Sequence, residues 1–227
     1  MALYFGNKNA NTLVGFAADD AIFGFGGNDI LLGFGGNDGI SGGGGNDEID
    51  GGSGNDALDG GAGDDEILGG NGNDFIDGGD GINTLDGGAG SDTLVGGNGS
   101  DVLIGGLGTD ILDGGDGSGD RYVFNTTAET TVGAGRDLIV FFNDVFSQDR
   151  IDLSGIDANT GAAGNQAFVF TNLGTAAFTA PRQIKVFQDP ANLSQYIIQL
   201  NTDNLAAPNA EIAVVTDGIL DATDFIL

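Results

Sequence analysis

The chain contains no cysteine, no histidine and no tryptophan, and only three of its 227 residues are proline. Without cysteine it cannot form disulfides or thiolate metal sites. Without histidine it cannot contain a Ser-His-Asp triad, a Cys-His dyad or an H-E-x-x-H zinc site. No apolar run approaches the roughly 20 residues that span a bilayer, so we expect no membrane insertion. The first residues also lack the basic and long apolar segments of a cleaved signal peptide.

Basic residues are scarce as well: 6 Lys and Arg against 34 Asp and Glu give a formal charge of −28. Such a surface repels nucleic acid and anionic membranes and attracts hard cations, so we expect no nucleic-acid partner. Glycine accounts for 45 residues, far above the usual share of about 7%. It lacks the three-residue period of collagen, which excludes that fold.

The glycines belong to a nine-residue repeat that runs without insertion from Gly6 to Asp113, in twelve copies. The first position is always Gly, the eighth is always Leu or Ile, and the sixth is Asp except at Asn11 and Asn83. An irregular thirteenth copy, Gly114–Phe124, closes the array. A flexible glycine-rich linker would not keep an aliphatic residue at every ninth position. The period therefore predicts a stacked-repeat architecture.

The order of residue types predicts how each repeat folds. A six-residue loop precedes a three-residue strand, whose central aliphatic side chain faces inward while its neighbours face outward. The glycines supply turn conformations that a Cβ would penalise. Two nonapeptides form one coil of 18 residues with a strand on each side, and coils stack about 4.8 Å apart. We predict an all-β fold with a right-handed parallel β-roll, two nonapeptides per coil.

The sixth-position side chains are the candidate metal ligands. Repeats that are two apart lie on the same side of the roll, so their carboxylates and loop carbonyls surround a gap between coils. Such gaps suit calcium, which takes 6–8 oxygen ligands, better than magnesium. Seven gaps lie between two aspartates, and three or four weaker gaps involve Asn or the irregular copy; we therefore predict about 7–10 calcium ions, with a weak point at Gly78–Asp86. The predicted ligands are Asp20, Asp29, Asp38, Asp47, Asp56, Asp65, Asp74, Asp92, Asp101, Asp110, Asn83, Asp120, Gly43, Gly45, Gly52, Gly54, Gly61, Gly63, Gly70 and Gly72.

The cation is expected to be necessary for folding. Residues 1–120 hold 22 acidic residues and one basic residue, and each nonapeptide supplies only one inward aliphatic side chain to offset the loss of backbone entropy. Repulsion and a thin core should leave the cation-free array unfolded. Calcium binding and folding are then one event.

The consensus G-G-x-G-x-D-x-U-x, with U a large aliphatic residue, resembles the RTX (repeats-in-toxin) calcium-binding nonapeptide repeat over residues 6–124. Beyond Phe124 the chain resembles the C-terminal domain of serralysin-type metalloproteases. That resemblance is carried by Asp149–Ser154, Ile156–Ala158, Asn165–Phe170 and Ala177–Thr179. It implies two domains, the roll at 1–124 and a β-sandwich-like domain at 125–227. The stretches DLIVFF, QAFVF, QIKVF and QYIIQL predict strands in the second.

The last five residues, Thr223–Leu227, resemble the ending of type I secretion substrates. This resemblance implies the type I secretion machinery as a partner and a secreted, extracellular protein. We expect a calcium-binding module that is not an enzyme, with folding coupled to export and a structural surface or matrix role. An outward apolar cluster near the start, here called the N-terminal Phe cluster, is either covered by Tyr4–Phe5 or available for self-association; its members are Phe16, Phe23, Phe25, Ile30, Leu32 and Phe34.

Two other functions stay open at this stage. The chain could be the C-terminal calcium-binding and secretion region of a larger extracellular enzyme, such as a metalloprotease, lipase or alginate epimerase; the initial Met favours a stand-alone protein. It could also be an enzyme that uses carboxylates alone, such as a glycoside hydrolase. Calcium coordination is the simpler role for the paired aspartates.

Overall fold

Successive strands of the repeat array alternate between two sheets. The computed structural model describes residues 1–117, 119–130, 135–142, 148–156, 169–170, 183–189, 191–202, 208, 210–216, 220 and 222–227. Apart from one 3-10 helix, Ala222–Asp224, the regular elements are β1 (Leu3–Asn7), β2 (Thr12–Val14), β3 (Ala21–Phe25), β4 (Ile30–Leu32), β5 (Gly39–Gly44), β6 (Glu48–Ser53), β7 (Ala57–Ala62), β8 (Glu66–Asn71), β9 (Phe75–Asp80), β10 (Thr84–Gly90), β11 (Thr93–Val95), β12 (Val102–Gly108), β13 (Ile111–Asp113), β14 (Arg121–Val123), β15 (Asp137–Phe142), β16 (Arg150–Asp152), β17 (Val169–Phe170), β18 (Gln183–Asp189), β19 (Asn192–Asn201), β20 (Ala210–Thr216) and β21 (Phe225–Ile226).

The pairing register shows two nonapeptides in every coil. Strand β5 pairs in parallel with β7, and Ile40 lies beside Leu58, 18 residues further along. Odd-numbered strands β1 to β13 follow one another in one sheet, and even-numbered strands β2 to β14 follow one another in the other. The prediction of an all-β parallel β-roll with two nonapeptides per coil is confirmed.

The strands in the middle of the roll are longer than the three residues predicted. Strand β6 has six residues, Glu48–Ser53, and β10 has seven. The additional residues are glycines and their neighbours, which continue the parallel pairing, for example Gly52 beside Gly70. Stacked coils place these glycines in register, so the backbone ladder extends past the aliphatic position.

The core of the roll is a column of eighth-position side chains. From Ile22 to Leu112 each is at most 2% exposed, whereas Leu13 in the first coil is only partly buried. The alternation is as predicted: the central aliphatic is buried and the residues beside it are exposed or half-buried. The column is continuous with buried side chains of the C-terminal region, among them Ile151 and Val214.

Both sheets continue beyond residue 124. In one sheet β15 pairs in parallel with β13 and β20, and β20, β19 and β18 follow as antiparallel neighbours. In the other, β14, β16 and β21 are parallel neighbours. The predicted strands DLIVFF, QIKVF and QYIIQL are thereby confirmed as β15, β18 and β19.

Other predictions for this region lie partly or wholly outside the described residues: only Val169–Phe170 of QAFVF, only Ile156 of Ile156–Ala158, and none of Ala177–Thr179. A division into domains at residue 124 stays a prediction, and both sheets cross that point. Along the described residues no helix is long and apolar enough to cross a membrane.

Candidate metal sites along the coils

The sixth-position side chains form one ladder on each side of the roll, here called the aspartate ladders. From Asp20 onward, the Oδ1 atom of each side chain accepts a hydrogen bond from the backbone N–H of the equivalent residue in the preceding coil; Asp38 Oδ1, for example, lies 2.7 Å from the Asp20 nitrogen. The array's bonds of this kind range from 2.6 to 3.0 Å and run through Asp20, Asp38, Asp56, Asp74, Asp92 and Asp110 on one side, and through Asn11, Asp29, Asp47, Asp65, Asn83, Asp101 and Asp120 on the other.

The second carboxylate oxygen, Oδ2, is buried without a hydrogen-bond partner in most of these residues. The described residues with such an oxygen are Asp29, Asp38, Asp47, Asp56, Asp65, Asp74, Asp92, Asp101, Asp110 and Asp137. A buried anionic oxygen with no donor is costly, and a row of them is unstable unless each gains a cation or a proton.

Backbone carbonyl oxygens share the space beside these carboxylates. A Cβ added to Gly51 would lie 2.6 Å from Asp56 Oδ2 and 2.8 Å from the carbonyl oxygen of Gly69. The same two kinds of oxygen flank Gly87, where Asp92 Oδ2 and the Gly105 carbonyl oxygen would each lie 2.6 Å from the added atom. A carboxylate oxygen that has no donor thus lies beside a carbonyl oxygen, and this pair of acceptors forms a cradle that suits a hard cation. This also explains why the first position of the repeat is always glycine.

The cradles combine carboxylates with carbonyls and are not clusters of acids. No group of three or more acidic side chains that could hold a metal ion occurs within the described part of the chain. Backbone carbonyl oxygens and water are the further ligands that such a site could offer a 6–8-coordinate calcium ion. The first-position carbonyls, such as those of Gly69 and Gly105, were missed by the sequence analysis, although the invariance of that position was a signal for them.

Asn83 shows what happens when the acceptor is replaced by a donor. Its Nδ2 donates to the carbonyl oxygen of Gly96 at 3.4 Å, while its Oδ1 accepts from the Asp65 N–H as in every other rung. The amide group thus places an N–H where the aspartates place Oδ2, and the gap is satisfied without a cation. This gives a physical reason for the weak point predicted at Gly78–Asp86.

Asp20, at the N-terminal end, also departs from the common pattern. Its Oδ1 accepts from the Ala2 N–H at 2.7 Å and its Oδ2 accepts from the Phe16 N–H at 2.9 Å. These backbone bonds hold the pKa of Asp20 below its usual range. Both oxygens are thus already paired, so Asp20 is the predicted carboxylate ligand whose surroundings least require a cation.

The eight glycines predicted as carbonyl ligands all adopt left-handed backbone conformations, with φ between +97° and +139°. Each is packed on the coil below; a Cβ at Gly63, for instance, would overlap the carbonyl oxygen of Gly45. Their conformation and close packing thus fix the shape of the loop. A direct role of their carbonyls as ligands stays a prediction.

A second set of side chains ties the coils together in the opposite direction. At the fifth position, Asn37 Oδ1 accepts from the Asn55 N–H and Asn55 Oδ1 accepts from the Asn73 N–H, both at 2.8 Å. Here the acceptor belongs to the earlier coil, whereas in the aspartate ladders it belongs to the later one. The exposed amides accept hydrogen bonds from fifth-position N–H groups, and the buried carboxylates accept them from sixth-position N–H groups. The Oδ2 atoms of the carboxylates take no part in these bonds.

Burial raises the pKa values of several ladder aspartates in the middle and at the C-terminal end of the array. Desolvation raises the pKa of Asp56 and Asp65 to about 6 and that of Asp92 and Asp120 to about 7, and neighbouring carboxylates raise them further. Backbone N–H donors oppose this effect without cancelling it. The ionised ladder is thus unfavourable by itself, and a bound cation would offset both the desolvation and the mutual repulsion.

Two further ladder members lie beyond the array and were missed from the sequence. Asp137 Oδ1 accepts from the Asp110 N–H at 2.9 Å, and Asp149 Oδ1 accepts from the Asp120 N–H at 3.0 Å. The sequence separations are 27 and 29 residues instead of 18, so a search for the nine-residue period passes over them. Both residues nevertheless open an Asp-x-aliphatic-x segment like that of each repeat, which is the signal that could have found them.

Comparison with known proteins places the chain in a family. The model of the RTX calcium-binding nonapeptide repeat matches residues 5–40, 14–49, 32–67, 50–85 and 86–119, which together cover half of the chain. The chain belongs to this family, and its array consists of calcium-binding RTX repeats that form a parallel β-roll. No curated protein matches the chain.

Among solved structures, similarity was found to two subunits of a mannuronan C5-epimerase from Azotobacter vinelandii. The AlgE6R3 subunit is 23% identical, with 79% of this chain and 78% of that chain covered and a TM-score of 0.42. The AlgE6R2 subunit is also 23% identical, with 73% and 88% covered and a TM-score of 0.33. At these scores the two structures carry neither fold nor function over to this chain.

Proposed function

We propose that this chain is a secreted, non-enzymatic calcium-binding module whose folding is driven by calcium after type I export. The supporting observation is the row of buried, unpartnered Oδ2 atoms beside backbone carbonyls. These oxygens recur at equivalent places in successive coils, as expected for repeated cation sites; a catalytic carboxylate pair would be a single site. The formal charge of −28 supports the same proposal, because an ion-free chain would repel itself.

Export and folding are linked through calcium concentration. Extracellular calcium-binding modules typically have dissociation constants of about 10⁻⁴–10⁻³ M, so the sites would stay empty in the cytosol and fill outside the cell. In the folded chain the ending forms strand β21 beside β16, and Phe225 is buried. A secretion machinery could read these residues only while the chain is unfolded, which is the state expected without calcium.

The experiment is far-UV circular dichroism of the full chain after chelation, titrated with calcium and, as a control, with magnesium. We expect a cooperative change from coil to β-structure with calcium alone, because magnesium demands a smaller and stricter octahedral site. A spectrum that is already fully β-structured in chelator would refute calcium-driven folding.

The end use that we propose is a structural surface or matrix role involving the N-terminal Phe cluster. Phe5 stacks on Phe23 and Phe25, with ring centroids 5.6 and 6.3 Å apart. This cover is partial, because Phe25 remains 59% exposed. Phe16 and Phe34 lie in the repeats before and after it, on the other side of the roll, and are 70% and 60% exposed. Phe25 and Phe34 also hold left-handed backbone conformations, with φ of 73° and 72°, at a repeat position that is glycine from Gly43 onward.

A phenylalanine at such a position costs backbone strain and exposes apolar surface, whereas glycine would avoid both. Its presence supports a role for these side chains in contact with another molecule. We propose a second copy of the chain as that molecule. Size-exclusion chromatography in calcium should show an assembly that the double variant Phe23→Ser, Phe25→Ser dissociates. The control is Phe75→Ser, a 48% exposed position outside the cluster. A monomer both with and without the substitutions would contradict self-association.

A further inference from the structure

Asp137 is the last carboxylate of its aspartate ladder and the first residue of strand β15. Its side chain is fully buried, its Oδ1 accepts from the Asp110 N–H at 2.9 Å, and its Oδ2 has no hydrogen-bond partner. The Oδ2 of Asp110 is likewise buried without a partner. The Oδ2 atoms of two successive ladder residues are thus unpaired at the point where the chain has left the nonapeptide array.

With Asp110 and Glu129 nearby, the groups around Asp137 end the ladder and add negative charge. Its own N–H donates to Thr130 Oγ1 at 3.1 Å, and that hydroxyl donates to the Glu211 carbonyl oxygen of β20. The Thr130 hydroxyl therefore accepts the bond that the carboxylate of a further ladder residue would accept, and the ladder ends there. Desolvation is the main cause that raises the pKa of Asp137 to about 8; the charges of Asp110 and Glu129 add to it, and hydrogen bonding with the Asp110 N–H and with Thr130 opposes it.

The side chain of Arg136, next to Asp137 in the sequence, is paired with other carboxylates. Arg136 forms ion pairs with Asp189 at 3.7 Å and with Glu211 at 3.3 Å. The Asp110 and Asp137 oxygens therefore resemble those of the array in burial, in the bond to Oδ1 and in the lack of a partner for Oδ2. They differ in sequence context, because no nonapeptide contains Asp137.

We propose that a calcium ion binds between Asp110 and Asp137 and joins the roll to the C-terminal strands. The inference rests on the proposed calcium-driven folding of the array and extends it to a site outside the repeats. Strand β15 lies between β13 of the roll and β20, which leads on to β19 and β18. An ion at the start of β15 would therefore fix the C-terminal part of this sheet to the last coil.

The test counts calcium ions bound by the full chain and by two variants, using isothermal titration calorimetry and equilibrium dialysis with calcium alone. Asp137→Asn keeps the Oδ1 acceptor for Asp110 and removes the anionic oxygen. Asp116→Asn is the control, since this exposed aspartate has no place in either ladder. We expect one ion fewer for Asp137→Asn and an unchanged count for Asp116→Asn.

A second readout is amide hydrogen exchange in calcium. The Leu138 N–H donates to the Asp110 carbonyl oxygen at 2.8 Å, so it reports the contact between β13 and β15. In Asp137→Asn we expect its exchange to become at least about tenfold faster, a change of about 1.4 kcal/mol in opening free energy. Amides of the central coils should be unaffected, because each coil contacts only its neighbours.

The outcomes separate this inference from the proposed function. If the wild-type chain binds no calcium, the proposed function fails. If the wild type binds calcium and Asp137→Asn binds the same number of ions, the junction site is wrong and the array sites stand. Should Asp137→Asn fail to fold, the calcium-loaded wild type decides: an anomalous-scattering peak between the Asp110 and Asp137 carboxylates supports the site, and its absence overturns it.

Discussion

Replacing Asn83 by Asp should create a calcium site where the array has an internally satisfied gap. The substitution keeps the Oδ1 that accepts from Asp65 and exchanges the Nδ2 donor for a second carboxylate oxygen facing the Gly96 carbonyl. The new side chain would lie between Asp65 and Asp101 on the same side of the roll. That side would then have an unbroken row of aspartates from Asp29 to Asp120.

The magnitude follows from the contacts that are lost and gained. Without an ion, the variant loses a long hydrogen bond, worth about 0.5 kcal/mol, and leaves a buried acceptor unsatisfied, at a cost of about 1–3 kcal/mol. Calcium at a hundredfold excess over the dissociation constant of the new site would return about 2.7 kcal/mol. The variant should therefore be less stable than wild type at low calcium and close to it at high calcium.

The assay is urea unfolding at a series of calcium concentrations. Near saturation, the free energy of unfolding of Asn83→Asp should rise more steeply than that of wild type, by about 1.4 kcal/mol for each tenfold increase in calcium, because one more ion is released on unfolding. The control is Asn46→Asp, an exposed fifth-position change on the same side of the roll, at which we expect the wild-type slope. Equal slopes for Asn83→Asp and wild type would show that the buried Oδ2 row does not bind the ions.

Three further predictions concern glycine, the core and pH. Gly63→Ala should destabilise the calcium-loaded chain by more than about 2 kcal/mol in urea unfolding, since its φ is +134° and a Cβ would overlap backbone; Gly39→Ala, with open space around it, should be neutral. Ile67→Ala should lower the free energy of unfolding by about 2–5 kcal/mol, because it leaves a cavity in the core. Leu68→Ala, at the neighbouring 40% exposed position, should lower it by less than about 0.5 kcal/mol. Equal losses for the two variants would contradict a core made of a single column of side chains. The pKa of the Asp92 carboxyl is raised to about 7 in the folded chain, whereas it is about 3.9 in an unfolded chain. Protonation of Asp92 therefore stabilises the calcium-free fold at low pH, and this stabilisation is lost as the pH rises from about 4 to 7. Circular dichroism of the calcium-free chain should therefore show more β-structure at pH 5 than at pH 8, and a pH-independent spectrum would refute the assignment.

The period of the sequence was sufficient to predict the stacking of the coils and the two ladders. An uninterrupted nine-residue repeat leaves one register in which all its aliphatic residues are buried together. Loop carbonyls were expected as ligands, but the first-position carbonyls beside the carboxylates were not singled out, because a backbone group has no identity in a sequence and only the invariant glycine marks its position. Asp137 was missed as well, because it lies 27 residues from Asp110 instead of 18, and only its Asp-x-aliphatic-x segment marks it in the sequence. The left-handed conformation of Phe25 is likewise imposed by the coil geometry against the local preference of the residue.

The two sets of side-chain hydrogen bonds, which run in opposite directions along the roll, repeat once in every coil. Within the uninterrupted array, from Asp29 to Asp110, these carboxylates and amides bond residues 18 positions away, so each coil needs only a similar coil above and below it. Evolution could lengthen or shorten such a molecule by whole coils without redesigning any contact, whereas a gain of nine residues would exchange the two sides and misalign the C-terminal strands. The same modularity would let an engineer cut the roll to a chosen length, with each coil adding a fixed increment of height and, on the proposal above, of bound calcium.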